Sequence, residues 1–84
     1  CTQAAIQTGV NPWVPSGTTA TVVKFGCDAG WAYALVTLTA SGESIDATDV
    51  LASRNGVWVS QDRYTVCPSG KIPKDVYTPG CTTN

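Results

Sequence analysis

Four cysteines, at positions 1, 27, 67 and 81, are the residues of this 84-residue chain with the most distinctive chemistry open to them, and histidine is absent. Without imidazole, neither a Cys-His nor a Ser-His-Asp arrangement can be assembled, and metal-assisted hydrolysis loses its commonest ligand. Structural zinc sites gather thiolates in close pairs such as C-x-x-C, whereas Cys1, Cys27, Cys67 and Cys81 lie far apart. Two disulfides are the economical use of such a set. Four cysteines permit three connectivities, and the expected one is Cys1 with Cys27 and Cys67 with Cys81, because each bond then joins neighbouring segments. A competing reading, in which Cys1 is acylated as in bacterial lipoproteins, would leave an odd thiol.

Carboxylates are the remaining candidates for catalysis. Asp28, Asp46, Asp49, Asp62 and Asp75 leave a glycosidase-type pair formally open, yet they lie mainly in turn-forming stretches, and so small a domain has little room for a cleft. No Gly-rich phosphate loop, dinucleotide fingerprint or EF-hand is present, so no enzymatic activity, cofactor or metal is expected. Asp62 and Arg63 read as strand neighbours pointing to opposite sides, which makes them solvated charges rather than a pair.

The composition sets the compartment. A chain of 84 residues forms one domain with a marginal core, and disulfides are the usual remedy, formed in an extracellular, periplasmic or cell-surface setting. The absence of an initiating Met or signal peptide reads as a processed mature form or an excised domain. Five basic and six acidic residues are dispersed, without the basic footprint of a nucleic-acid binder. The longest apolar run, Trp31 to Ala40, is about half of what a membrane span needs and contains Thr37 and Thr39.

The elements that position these residues follow from pattern. A short helix is expected over residues 1–9, with Thr2 as N-cap and Gly9 as its stop, then a loop over 10–18 in which Trp13 plugs a core edge. Residues 19–27 alternate, with Thr21, Val23, Phe25 and Cys27 expected to face the core. A turn at Asp28 to Gly30 leads to a central strand with Trp31, Tyr33 and Leu35 on one side and Ala32, Ala34, Val36 and Leu38 on the other. Large residues on one face and alanines on the other suit a central strand sandwiched between a covering loop and a helix packed closely against the sheet. Residues 41–49 read as a solvated acidic loop, and Asn55-Gly56 specifies a two-residue hairpin placing Val50, Ala52, Val57 and Val59 on one face and Trp58 with Leu51 on the other. In the tail, Pro73 opens a short helix through Tyr77 that ends at Pro79-Gly80, and Cys81 returns to Cys67. The fold class expected is α+β: a short N-terminal helix on a four-stranded antiparallel meander, with a disulfide-tied C-terminal segment.

Gly26-Cys27, then Gly30-Trp31-Ala32, then Asn55-Gly56 with Trp58, Arg63, Cys67, Pro73 and Cys81 form an order that resembles a family of small exported actinobacterial domains. The resemblance spans roughly residues 23–81. It implies a secreted or surface-attached module and carries no catalytic residues.

The function expected is a non-enzymatic secreted or cell-surface binding module whose partner is an extracellular protein or a cell-wall glycan. Trp31, Tyr33 and Trp58 are the candidate contacts, on the condition that the sheet register gathers them into one aromatic patch, with Arg63 as a polar neighbour. The alternative is a small rigid inhibitor of a secreted hydrolase or protease, presenting Lys71 from the loop at residues 68–73.

Overall fold

The computed structural model describes residues 1–83. Helix α1 (Gln3–Val10) runs into a 3₁₀ turn (Asn11–Trp13), and four strands follow: β1 (Thr19–Asp28), β2 (Trp31–Ala40), β3 (Glu43–Arg54) and β4 (Val57–Gln61). A one-turn helix α2 (Arg63–Val66), a second 3₁₀ turn (Cys67–Ser69) and α3 (Lys74–Cys81) complete the chain. The sheet is an antiparallel meander in the order β1-β2-β3-β4. Each of its turns is a two-residue Xaa-Gly loop, Ala29-Gly30, Ser41-Gly42 and Asn55-Gly56, with positive φ at both positions, as a type I′ hairpin requires.

The expected disulfides are both present, Cys1–Cys27 and Cys67–Cys81. The bond to Cys27 occupies the Cys1 thiol, so that thiol is not the acylated group of the lipoprotein reading. Each bond serves one face of the sheet. On one face α1 packs Ile6 and Val10 against Ala20, Val22, Ala32, Ala34, Val36 and Leu51. On the other, Ile72 and Val76 cover Tyr33 and Val50. Strand β2 is therefore central and covered on both sides, and its alanines are the side on which the helix lies close.

Several local expectations are corrected by tertiary contacts. Thr2 does cap α1, its hydroxyl accepting from the Ala5 amide, but Gly9 does not stop the helix, which continues to Val10. A Cβ at Gly9 would lie 2.8 Å from the Trp58 carbonyl oxygen and 2.9 Å from Leu51 Cδ2, so glycine is there for close approach to the sheet. In β1 the alternation is broken by a bulge between Val22 and Lys24. Ala20 and Val22 face the core before it, Phe25 and Cys27 after it, and Val23 is left exposed. The predicted loop over 41–49 is a turn plus the first half of β3, pairing Glu43–Asp49 with Ala34–Ala40. Its polar residues mimic a loop because the end of this hairpin projects into solvent. Pro73 is the N-cap of α3 rather than its first residue, and the helix passes through Pro79 and Gly80 to Cys81.

Helix α1 also closes one edge of the sheet. The Gln7 side chain donates to the Ala20 carbonyl (2.8 Å) and accepts from the Val22 amide (3.1 Å), while Gln3 donates to the Val22 carbonyl (3.1 Å). These are the outward backbone groups of β1, which would otherwise be open to pairing with another strand. Gln7→Ala is expected to lower stability by about 1–2 kcal/mol, chiefly through the two lost hydrogen bonds to β1, with an exposed third to Asn11 lost as well, read as a lower urea midpoint at unchanged m-value. An unchanged midpoint would show that water replaces the carboxamide without cost.

Candidate functional site

The expected aromatic patch is not assembled. Trp31 pairs with Ala52 and Tyr33 with Val50, whereas Trp58 pairs with Ser53, one residue out of phase with both. Because side chains alternate along a strand, Trp31 and Tyr33 lie on the α3 face and Trp58 on the α1 face. Tyr33 is buried, its ring lying over Gly26, where a Cβ would meet Cε1 at 2.6 Å. Trp31 packs at the margin of the α3 core. The hairpin register itself matches the one Asn55-Gly56 specifies, and that register is what separates the tryptophans.

Trp58 instead lines a groove of about 550 Å³ with Gly9, Pro12, Trp13, Val59, Ser60, Gln61 and Asp62. One wall is the 3₁₀ turn after α1, which holds Trp13 about one-third exposed, and the other is β4. Trp13, read from the sequence as a core plug, is thus a groove residue. Its surface role was hidden because only the packing of α1 across the sheet brings residue 13 beside residue 58.

Adjoining the groove, and sharing Trp13, Gln61 and Asp62 with it, is a cavity of about 290 Å³ lined also by Asp46, Asp49, Arg63 and Tyr64. Asp49 is buried on β3 and accepts a hydrogen bond from the Ser60 hydroxyl at 2.7 Å. Burial pushes its carboxyl up to about 6, against weaker opposing effects from Ser60, the Val50 backbone and the Arg63 guanidinium. Its Oδ2 is enclosed without a hydrogen-bond partner. A carboxyl closed off in this way cannot reach a molecule in the groove as the side chains stand.

Asp62 and Arg63 do not continue β4. Asp62 caps α2, Oδ1 accepting from the Tyr64 amide and Oδ2 from the Thr65 hydroxyl, which turns the chain off the sheet. Arg63 donates to the carbonyls of Thr48 and Thr83, tying the C-terminal tail to β3 beyond the end of β4. Arg63 is therefore a brace whose two terminal nitrogens are engaged, while its buried Nε has no hydrogen-bond partner. Lys71 is exposed together with Pro68, Ser69 and Gly70, in a segment that forms a 3₁₀ turn and a left-handed Gly70 (φ +76°) before Ile72 is buried, and so is a turn rather than an extended loop.

Compared with protein-family models, curated proteins and solved structures, the chain matches none. The groove is the candidate site. Its chemistry combines an exposed indole, the edge of a second, a carboxamide, a hydroxyl and a carboxylate. That is the composition of a site that holds a ligand by stacking and hydrogen bonding. Among the described residues no group of three or more metal-ligating side chains is gathered.

Proposed function

We propose that this protein is a non-enzymatic extracellular binding module, secreted or held at the cell surface, whose ligand lies in the groove between Trp13 and Trp58. The observation that carries the reading is the convergence of the two tryptophans with Ser60, Gln61 and Asp62 on one concavity. Two disulfides are compatible with an extracellular protein, and no helix among the described residues is long and apolar enough to cross a membrane. The enclosed state of Asp49 supports a binding role over a catalytic one, because the carboxyl with the perturbed proton affinity is not presented to the groove. The resemblance to small exported domains agrees with this compartment.

The test is retention of the purified protein on envelope preparations of its source organism. Trp13→Ala is expected to weaken retention at least tenfold, since truncating an interfacial tryptophan commonly costs more than about 1.4 kcal/mol. Trp31→Ala, on the other face, should leave retention within about threefold, below about 1 kcal/mol. Equal loss in both variants, or retention indifferent to Trp13, removes the groove as the site.

A further inference from the structure

Four consecutive residues of β4, Trp58, Val59, Ser60 and Gln61, line the groove. Side chains alternate between faces, so four in a row can share one concavity only if the groove runs along the strand's edge. The hairpin phase says which backbone groups face it. With a two-residue Asn55-Gly56 loop, Arg54 and Val57 form a hydrogen-bonded pair, as then do Ala52 with Val59 and Val50 with Gln61. The backbone N–H and C=O of Trp58 and Ser60 consequently point away from β3; the Trp58 carbonyl lies against Gly9 of α1, which leaves the Ser60 groups as the ones that open to the groove.

The two edges of the sheet are treated differently. On β1, Gln3 and Gln7 occupy the outward groups of Ala20 and Val22. The part of β3 that overhangs β4 carries Glu43 and Asp46, charged side chains of the kind that discourage strand pairing. Along β4 the edge coincides with a groove walled on its far side by Pro12 and Trp13. Asp62 stands at the end of that edge, and the adjoining cavity adds Asp46. Arg63, the cation there, is engaged by the Thr48 and Thr83 carbonyls.

We infer that the groove takes an extended segment of an extracellular polypeptide, which adds as a fifth strand to the outer edge of β4 and places a basic side chain beside Asp62. This rests on the groove being the binding site and names its ligand class. A backbone edge offers alternating donors and acceptors at the spacing of another strand, while Trp13 and Trp58 give shape to one side chain of the guest. A glycan would instead call for a broad exposed aromatic face, and the Trp58 ring is partly spent on the α1 core.

The test begins by panning a phage-displayed library of random twelve-residue peptides on the folded, oxidised protein, and then uses the enriched peptide as the probe. Ser60→Pro removes the outward N–H of β4 without touching the β3–β4 ladder, as an edge strand permits, and is expected to weaken the peptide at least tenfold. Ser60→Ala loses the hydroxyl bond to Asp49 but keeps the N–H, so Ser60→Pro should bind the peptide at least tenfold more weakly than Ser60→Ala does. Because Ser60→Pro can fail to fold, peptides N-methylated at alternate amides provide a second measurement. One register of methylation should abolish binding and the other leave it. Equal affinity for Ser60→Pro and Ser60→Ala, or indifference to both registers, overturns the inference. If panning enriches nothing while a glycan array yields a ligand lost in Trp13→Ala, the groove stands and the peptide ligand fails. If envelope retention is itself indifferent to Trp13→Ala, the binding-site reading fails with it.

Discussion

Reduction of both disulfides is expected to unfold the protein at 25 °C. The bonds close loops with sequence separations of 26 and 14 residues, and on the chain-entropy model each restricts the unfolded state by about 3 kcal/mol. A domain of this length has a total stability of roughly 4–13 kcal/mol, and its small core places it toward the lower end, so losing about 6 removes most or all of it. The losses should be nearly additive, because Cys1–Cys27 ties α1 to the end of β1 on one face while Cys67–Cys81 closes the segment over Tyr33 and Val50 on the other. Urea titrations of the oxidised, singly bonded (Cys1→Ser with Cys27→Ser, or Cys67→Ser with Cys81→Ser) and fully reduced proteins measure this directly. A reduced protein that keeps its urea midpoint would mean that the two small cores suffice alone.

The second large effect concerns Asp49. Its carboxyl is raised from 3.8 to about 6 by burial, so the folded protein holds the proton more firmly than the unfolded chain does. The group's contribution to stability is complete below about pH 4, declines as pH rises through about 6, and is flat above that. A pKa raised from 3.8 to about 6 corresponds to about 3 kcal/mol lost between acid and neutral pH. Asp49→Asn abolishes that titration while keeping an acceptor for the Ser60 hydroxyl. The stability of Asp49→Asn relative to the native protein should therefore rise by up to about 3 kcal/mol between about pH 4 and pH 7. Comparing the two proteins at each pH cancels the contribution of other titrating groups. A difference that does not change with pH would show that Asp49 is ionised in the folded state without penalty.

Asp49 is also where local reading and structure part most clearly. In sequence it belongs to an acidic polar stretch, and the solvated-loop expectation follows naturally. In the fold it lies opposite Ala34 in the middle of the sheet, because the Ser41-Gly42 turn launches a strand that stays polar while it projects and turns apolar where α1 covers it. The same reason hid the bulge at Val23. Period-two alternation carries no mark of an extra residue, and only the pairing with β2 shows that the inward face changes parity there.

Pattern and chemistry over short range determined the meander, the Asn55-Gly56 register and the two-sided burial of β2, since each depends on residues close in sequence or on an alternation that survives translation into a sheet; the disulfide pairing was favoured by the sequence but left with three connectivities open, and the fold chose among them. The placement of the candidate site was decided by tertiary structure alone. Trp31, Tyr33 and Trp58 were legible as aromatic residues on strands, but which of them share a face depends on the phase between two hairpins. Trp13 joins Trp58 only because a glycine at position 9 lets α1 come down onto the sheet. Distances between elements that are remote in the chain are set by packing, and no local pattern encodes them.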